Sequence, residues 1–368
     1  MAQGAIDIVI VNFRCAEDTI AAVSRLQVWT SGTVWVVDNS AQDADMRAQT
    51  ATLQTHCDQR PWVKMLQSGG NVGFGRACNL AFAQSSADFF LLLNPDARVA
   101  PDAVQAMASL MVQHPGLGAL SPAVYWNAQH SFVLPAPSPQ SPAQVCGVAL
   151  RTHLQGVARF VARRAMQKTQ SDMAQSALLP VSFLAGAVML VRRSAALEAG
   201  GLFDPAYFMF FEDADLSLRL RRKGYRLAIA PEFRAVHEYR HKAFKAEAMA
   251  QSQAHYFSCN FPRFDQDGKT LKRLQRWHSG MPLHEWFAVL EGAIGSAEEL
   301  RQRTGSQGVV AWSPSLLMEP AICRPAGDAV RPLDAAEWAL LEPGGYVVWL
   351  EEQTGHGATR WTYFEKKA

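Results

Sequence analysis

In the stretch FFLLLNPDA, residues 89–97, five consecutive apolar residues end abruptly in a polar turn, Asn94-Pro95-Asp96, which is typical of a buried strand. Two amphipathic stretches, residues 16–29 and 75–86, predict helices. Three further apolar runs of strand length precede the stretch: IDIVIV at 6–11, TVWVV at 33–37 and WVKML at 62–66. Strands that alternate with helices at this spacing predict an α/β fold with a doubly wound, mostly parallel sheet flanked by helices. Such sheets bind ligands beyond the carboxyl ends of their strands.

The composition is that of a globular protein with a large core: 368 residues, 49% hydrophobic and 18% charged. It excludes collagen, coiled coil and intrinsic disorder. The 35 basic and 33 acidic residues nearly balance, so we expect no nucleic acid among the partners. Six cysteines without a CxxC pair indicate reduced thiols, and we expect neither a signal peptide nor a membrane-spanning segment. The protein is therefore expected to be cytoplasmic.

The sequence changes character beyond Asp265, which predicts two units: a first domain over residues 1–265 and a smaller α+β accessory domain over 266–368. Within the second unit, residues 269–303 predict one or two helices, and 346–350 and 360–364 predict strands. Nothing in this unit indicates its role. Four of its aromatic residues are Trp312, Trp338, Trp349 and Trp361. They either pack in the core, which we favour, or form a sugar-binding face.

Polar residues collect where the predicted strands end. Asp38-Asn39 follows the second strand, and its acid either accepts hydrogen bonds from a nucleoside or forms an Asx turn. Asp96 either binds a divalent cation or caps the next helix. A glycine-rich segment at 69–75 permits close backbone approach to a ligand, but it has neither the GxGxxG pattern nor the lysine of a P-loop. That disfavours a dinucleotide dehydrogenase and a P-loop kinase.

Three carboxylates lie within four positions at Glu212, Asp213 and Asp215. Acids in the first turn of a helix are favoured by the helix dipole, which explains the charge order. The same acids follow the apolar run 207–211, and partial desolvation at such a junction raises the pKa of a candidate general base. His237 is either a packed residue or a metal ligand.

Taken together, these segments resemble the family 2 glycosyltransferases with a GT-A fold, and most closely the rhamnosyltransferase-like branch. The resemblance covers about residues 6–245, and the order and spacing of its segments are more specific than any one of them. It depends on VIVNF at 9–13, VVDNS at 36–40, GGNVGFGRACNLA at 69–81, LLLNPDA at 91–97, FLAGAVMLVRR at 183–193, GGLFDPAYFMFFEDADLSLRLRRKGYRLAIAP at 200–231, and His237.

The resemblance implies a nucleoside-diphosphate sugar donor and a divalent metal, Mg²⁺ or Mn²⁺. Asp96 resembles the metal ligand of the family's DxD motif, whose first acid is replaced here by Asn94, and His237 resembles a distal metal ligand. The matching positions for binding the nucleotide-sugar are Asn12, Asp38, Asn39, Asn71, Gly73, Asn94, Asp96 and Gly186.

The resemblance also implies an inverting reaction, in which a carboxylate base deprotonates the acceptor hydroxyl. Asp213 resembles this base, with Glu212 beside it, and Gly186 matches the place where the acceptor approaches. The branch implies rhamnose from dTDP-rhamnose as the transferred sugar. It also implies an acceptor that is a cell-surface glycan or a lipid-diphosphate-linked sugar, as in polysaccharide synthesis for the cell envelope.

Two alternatives stay open at this point. A nucleotide-sugar-binding protein that has lost catalysis is disfavoured by the retention of Asp96 and of Glu212-Asp213. A nucleotidyltransferase is disfavoured because the loop after the first strand, residues 12–17, has none of the glycine, arginine and lysine pattern of those enzymes.

Two basic regions predict peripheral contact with anionic membrane at the inner face of the cytoplasmic membrane. Between Arg219 and Lys245 there are nine Lys/Arg against two glutamates. Residues 150–168 combine an apolar stripe (Leu150, Leu154, Val157, Val161) with arginines opposite (Arg159, Arg163). The alternative is that these are solvated faces of the protein. The oligomeric state is not indicated by the sequence.

Overall fold

The structure is a computed structural model that describes residues 4–27, 29–40, 44–238, 246–265, 269–277, 283–305, 307–351 and 360–367. Its first half contains β1 (Ile6–Asn12), α1 (Ala16–Arg25), β2 (Val34–Asp38), α2 (Ala44–Asp58), β3 (Val63–Gln67), α3 (Phe74–Gln84), β4 (Phe89–Leu93), β5 (Ala97–Val99), α4 (Pro101–Gln113), β6 (Leu117–Tyr125), α5 (Pro142–Arg151) and α6 (Gln155–Met173). Its second half contains β7 (Leu179–Val181), β8 (Val188–Arg192), α7 (Arg193–Glu198), α8 (Glu212–Arg222), β9 (Arg226–His237), α9 (Ala246–Asn260), α10 (Lys269–Trp277), α11 (Leu283–Trp286), β10 (Ala288–Ile294), α12 (Ala297–Arg303), β11 (Gly308–Ser313), β12 (Ile322–Cys323), α13 (Ala335–Leu340), β13 (Gly344–Glu351) and β14 (Arg360–Lys366).

The larger sheet has the order β3-β2-β1-β4-β8-β6-β9-β5, and β7 pairs with β9. β3, β2, β1 and β4 are parallel, whereas β8 runs antiparallel between β4 and β6. The α/β prediction is therefore confirmed: a mostly parallel half with helical connections is joined to a mixed half. Asn12 and Asp38 are partners in the register of β1 and β2, so the predicted polar edge forms where these strands end.

The continuous apolar runs are explained by burial on both faces of this sheet. Ile6, Ile8 and Ile10 of β1 pack into the core on one face, together with α1 and α4. Val9 and Val11, which alternate with them, pack on the other face with α3 and α8. Because both faces are covered by helices, every residue of β1, β2 and β4 is buried.

The second sheet has the order β10-β14-β13-β11-β12, and β10 is parallel to β14 while the other pairs are antiparallel. β10 lies inside the 269–303 segment for which only helices were predicted, because its sequence AVLEGAI lacks the alternation of a half-buried strand. The four tryptophans named in the sequence analysis, Trp312, Trp338, Trp349 and Trp361, are at most 7% exposed. They form core rather than an open sugar-binding face.

Helix α6 packs against the second sheet: Ala158, Ala162 and Met166 lie in one apolar cluster with Trp349 and Trp361. The segment after β6 also contacts the second sheet, through a bridge between Val133 and Cys323. Across the residues that the structure describes, no helix is both long enough and apolar enough to cross a lipid bilayer.

Candidate functional site

The ends of β1 and β2 are tied by a buried hydrogen-bond network. Asn12 Nδ2 donates to Asp38 Oδ1 at 2.8 Å, and Asn12 Oδ1 accepts from the hydroxyl of Thr19 at 3.1 Å. Asp38 also accepts from the backbone N–H of Ser40 at 3.1 Å and from the hydroxyl of Thr50 at 2.7 Å. Because Asn12 and Asp38 are only 2% and 1% exposed, they fix the shape of this edge of the sheet.

Asn39 organises the glycine-rich loop. Its Oδ1 accepts from the Ser68 hydroxyl at 3.0 Å and from the Val72 backbone N–H at 2.9 Å, and its Nδ2 donates to Asn71 Oδ1 at 3.1 Å. Asn71 Oδ1 in turn accepts from the backbone N–H of Gly73 at 3.3 Å. The two asparagines therefore hold the loop in one conformation next to the end of β2.

Gly73 is required by packing within the protein. Its φ of 91° lies in the region that favours glycine, and a Cβ there would lie 2.2 Å from the backbone oxygen of Phe208. The next residue, Phe74, donates its backbone N–H to that same oxygen at 3.0 Å. The glycine-rich loop is thus attached directly to the segment that leads into Glu212.

Asp96 and His237 lie side by side because β5 and β9 pair with Ala97 opposite His237. Asp96 Oδ1 and His237 Nε2 are 3.4 Å apart, and the side chains are 35% and 15% exposed. Neighbouring donors in an octahedral Mg²⁺ shell lie about 3 Å apart, so this pair fits two positions of such a shell. Among the described residues no cluster of three or more acidic, histidine or cysteine side chains suited to a metal is found.

Asn94 connects this region to the opposite wall of the site. Its backbone N–H donates to the carbonyl of Ala187 at 2.9 Å, and its own carbonyl accepts from Ala97 at 3.0 Å. The hydrogen bond between Asn94 and Ala97 therefore closes the turn that contains Asp96. On the other side, this turn touches the loop that contains Gly186.

Asp213 is held at the N-terminus of α8 by two backbone donors. Its Oδ2 accepts from the N–H of Gly186 at 3.0 Å, and its Oδ1 accepts from that of Ala214 at 2.8 Å. A Cβ on Gly186 would lie 3.7 Å from Asp213 and 3.7 Å from the ring of Phe74. Burial raises the pKa of Asp213, while these N–H groups lower it by favouring the charged form.

Glu212 points into the protein interior although it is adjacent to Asp213 in the sequence. It is 6% exposed, a Cβ on Gly75 of α3 would lie 3.7 Å from its Cβ, and its Oε2 has no hydrogen-bond partner among the described residues. Burial, followed by the charge of Asp213, raises the pKa of Glu212 to about 8. Because Asp213 receives the N–H groups, we assign the negative charge to Asp213 and the proton to Glu212 at neutral pH.

The third acid of this cluster is structural. Asp215 accepts from Arg219 Nε at 2.6 Å and from Asn260 Nδ2 at 3.0 Å. The same guanidinium donates to the backbone carbonyls of Ala199, Gly201 and Leu202. Arg219 thereby holds the turn at residues 199–202, before the segment that leads into Glu212, and its guanidinium is occupied by these partners.

The structure thus brings together the predicted residues in two connected groups. Asn12, Asp38, Asn39, Asn71 and Gly73 form one edge; the other contains Asn94, Asp96, His237, Gly186 and Asp213. The sequence interpretation missed the supporting hydroxyls of Thr19, Ser40, Thr50 and Ser68. Of these four residues, only Ser40 belongs to a segment of the family resemblance, VVDNS at 36–40. Nothing in the sequence distinguishes Thr50 from the other polar residues of α2.

Known proteins are similar to this chain over the residues that form the larger sheet. The family model "Glycosyltransferase like family 2" matches residues 5–256. The N-acetylglucosaminyl-diphospho-decaprenol L-rhamnosyltransferase of Mycobacterium tuberculosis (strain ATCC 25618 / H37Rv) is 27% identical over 246 residues, 64% of this chain and 77% of that protein. The rhamnosyltransferase WbbL of Escherichia coli (strain K12) is 48% identical over 61 residues, 17% of this chain and 23% of that protein.

Among solved structures, the mannosyltransferase PcManGT from Pyrobaculum calidifontis, in complex with GDP-Man and Mn²⁺, is 14% identical. The match covers 77% of this chain and 72% of that chain, with a TM-score of 0.47. The family model, by contrast, spans most of the larger sheet and every predicted site residue. This chain therefore belongs to the family 2 glycosyltransferases, with a GT-A fold and with rhamnosyltransferases among its relatives.

Proposed function

We propose that this glycosyltransferase inverts the anomeric centre of its donor sugar and that Asp213 is the general base. The proposal depends on one observation: the two carboxylate oxygens of Asp213 accept hydrogen bonds from the backbone N–H groups of Gly186 and Ala214, which hold the carboxylate in place. A base whose pKa is raised by burial is matched to deprotonating a hydroxyl. A single in-line displacement by that hydroxyl then inverts the centre without a covalent intermediate.

Glu212 has a different role in this proposal. Its side chain is buried against α3, away from Gly186, and its raised pKa keeps it protonated. A neutral Glu212 leaves Asp213 as the charged partner of the pair, since two adjacent carboxylates resist joint ionisation. We therefore treat Glu212 as a positioning residue for Asp213.

The nucleoside of the donor is proposed to bind at the edge formed by Asn12, Asp38 and Asn39. Among the described residues, Asp38 Oδ2 accepts from the Thr50 hydroxyl alone, and its second lone pair would accept from an imide or ribose donor. Asn71 and Gly73 would then shape the loop over the nucleotide, and Asn94 would contact the diphosphate.

Asp96 and His237 are the residues that would hold Mg²⁺ or Mn²⁺. Their side chains lie 3.4 Å apart and are partly exposed, so both would contact one cation at the surface of the site. When bound, the cation would supply positive charge against the leaving diphosphate. The histidine nitrogen suits Mn²⁺ better than Mg²⁺.

For the substrates, we propose rhamnose from dTDP-rhamnose and a glycan or lipid-diphosphate-linked acceptor. The rhamnose and the lipid-linked acceptor rest on the Mycobacterium tuberculosis relative, an N-acetylglucosaminyl-diphospho-decaprenol L-rhamnosyltransferase. The dTDP carrier rests on the resemblance to the rhamnosyltransferase-like branch. We place the protein in the cytoplasm at the inner face of the membrane. Residues 1–265 would form the transferase domain and residues 266–368 an accessory domain that supports α6.

A donor panel tests the proposal. The full-length protein is incubated with dTDP-rhamnose, UDP-glucose, GDP-mannose and UDP-N-acetylglucosamine, with Mn²⁺ and a diphosphate-linked N-acetylglucosamine acceptor. We expect dTDP release with dTDP-rhamnose and a product whose anomeric configuration, measured by NMR, is opposite to that of the donor. Retention of configuration would contradict the inverting mechanism, and release of pyrophosphate would favour a nucleotidyltransferase.

A further inference from the structure

The last turn of α5 and the outer side of α6 present a row of large apolar side chains to solvent. Leu150 is 49% exposed, Leu154 43%, Val157 43% and Phe160 61%. These are four of the ten large hydrophobic residues that are exposed among the described residues, and they fall within eleven positions. A contiguous exposed apolar patch of this kind marks an interaction surface.

Three residues of the apolar stripe named in the sequence analysis, Leu150, Leu154 and Val157, are exposed, and the fourth, Val161, is half-buried. α6 packs inward through Ala158, Ala162 and Met166, and Arg159 and Arg163 stack on Trp361 and Trp349 of the second sheet. These two arginines are exposed and lie along the second sheet. The large apolar residues are left outside.

Basic residues border this row. Arg164 lies over the ring of Phe160 at 5.7 Å. Lys168, one turn further along α6, is 74% exposed and pairs with Asp172 at 2.6 Å, and residues 150–171 contain no acid. α10 packs against α5 and carries the exposed Lys272 and Arg273. We define the α5–α6 face by its own residues: Leu150, Leu154, Val157, Phe160, Arg164 and Lys168.

The α5–α6 face is continuous with the acceptor side of the candidate site. Val145, near the start of α5, packs in one apolar cluster with Phe183 and Phe211. Phe183 lies three residues before Gly186, and Phe211 directly precedes Glu212. α5 therefore runs from the wall around Asp213 outward to Leu150.

Among the described residues 219–238 of the second basic region, no large apolar side chain is exposed. Arg219 is occupied by Asp215 and three backbone carbonyls, Arg222 donates to Asn260, and Arg234 lies over the ring of Tyr125. Residues 240, 242 and 245 lie outside the described residues. The charge that is combined with exposed apolar surface is on α6 and α10.

We propose that the α5–α6 face docks on a bilayer containing anionic lipid. α6, with 19 residues, would lie in the plane of the interface, its apolar side chains among the acyl chains and its basic groups at the headgroups. This inference rests on the proposed lipid-linked acceptor, because docking here brings the acceptor side of the site to the membrane. Charge complementarity selects anionic bilayer over an uncharged apolar partner.

Vesicle co-sedimentation of the full-length protein tests the inference. We compare phosphatidylcholine vesicles with vesicles that also contain phosphatidylglycerol, for the wild type and for Val157→Ser/Phe160→Ser. We expect binding only to the anionic vesicles, weakened by salt, and a loss of about tenfold in partitioning for the variant. Arg164→Gln, which removes the basic group beside Phe160, should lose about fivefold.

Two matched controls should partition like the wild type: Leu197→Ser, which removes an equally exposed apolar residue from α7 (54% exposed), and Arg221→Gln/Lys223→Gln on α8. Circular dichroism verifies that every variant is folded. Equal recovery on neutral and anionic vesicles, or an equal loss in the controls, would overturn the inference. So would competition by inorganic phosphate beyond that of chloride at equal ionic strength, or a change of oligomeric state in the apolar variant.

The vesicle assay is independent of catalysis, so the two proposals fail separately. Turnover of dTDP-rhamnose without anionic vesicle binding would remove the docking surface and leave the proposed function. Anionic vesicle binding by the wild type without donor turnover would do the reverse.

Discussion

We expect the wild-type protein to lose stability as the pH rises because Glu212 must give up its proton. The variant Glu212→Gln should not show this loss. Burial raises the pKa of Glu212 from 4.5 to about 8, so between these values the folded protein retains a proton that the unfolded chain has released. The unfolded state then binds fewer protons than the folded state, and the free energy of unfolding falls with increasing pH. Glutamine mimics the protonated carboxyl and has no proton to lose.

The size of the effect follows from the pKa displacement. Each unit corresponds to about 1.4 kcal/mol, so between about pH 6 and about pH 8 the loss from Glu212 is at most about 2.7 kcal/mol. Solvent and protein relax around a charge once it forms, which reduces the penalty. We therefore expect the wild type to lose about 1–2 kcal/mol more than Glu212→Gln over this interval.

Urea unfolding followed by tryptophan fluorescence at the two pH values measures this difference. Glu17→Gln, which changes an exposed carboxylate in the first turn of α1, is the matched control and should follow the wild type. If the wild type and Glu212→Gln lose stability in parallel, Glu212 is not a buried protonated acid. The assignment of charge between Glu212 and Asp213 is then wrong.

Three further predictions concern other parts of the structure. Gly73→Ala should lower both stability and donor binding more than Gly69→Ala does in thermal-shift assays; both positions have positive φ, but only at Gly73 does a Cβ collide with backbone, and equal effects would contradict this packing. Asp96→Ala should abolish Mn²⁺-dependent stabilisation by dTDP in calorimetry, as a chelator does in the wild type; unchanged affinity would remove Asp96 from the metal site. Glu337→Gln should cost about 3 kcal/mol in urea unfolding because it leaves the buried Arg324 unbalanced, whereas loss of the exposed Arg301–Glu298 pair should have no measurable effect.

The sequence predicted the larger sheet well because its strands are buried on both faces. β4 spans Phe89–Leu93, the full apolar run, and β2 begins one residue later than predicted, at Val34. Burial on two faces produces uninterrupted apolar runs, which are the clearest strand signal in a sequence. β10 was missed because its Glu291 and Gly292 are exposed and interrupt the pattern.

Orientation within the candidate site was not predictable from the sequence. Neighbouring residues on a helix point about 100° apart, so Glu212 enters the protein interior while Asp213 contacts Gly186. The sequence motif contains both acids and does not tell which of them faces the site. The same geometry decides α6. Small residues such as Ala158 allow close packing on the second sheet, and the larger apolar residues are turned outward, a choice that depends on a partner element more than one hundred residues away.

The assignment of Asp213 as the general base is tested most directly by comparing the turnover of Asp213→Asn with that of Glu212→Gln. With dTDP-rhamnose, Mn²⁺ and a diphosphate-linked acceptor, we predict that Asp213→Asn lowers kcat by about 10²–10⁴ and leaves the dissociation constant of dTDP unchanged. Glu212→Gln should retain most of the activity, because its side chain lies away from the acceptor. If Asp213→Asn keeps more than a tenth of wild-type turnover, or if Glu212→Gln is the variant that loses it, Asp213 is not the base.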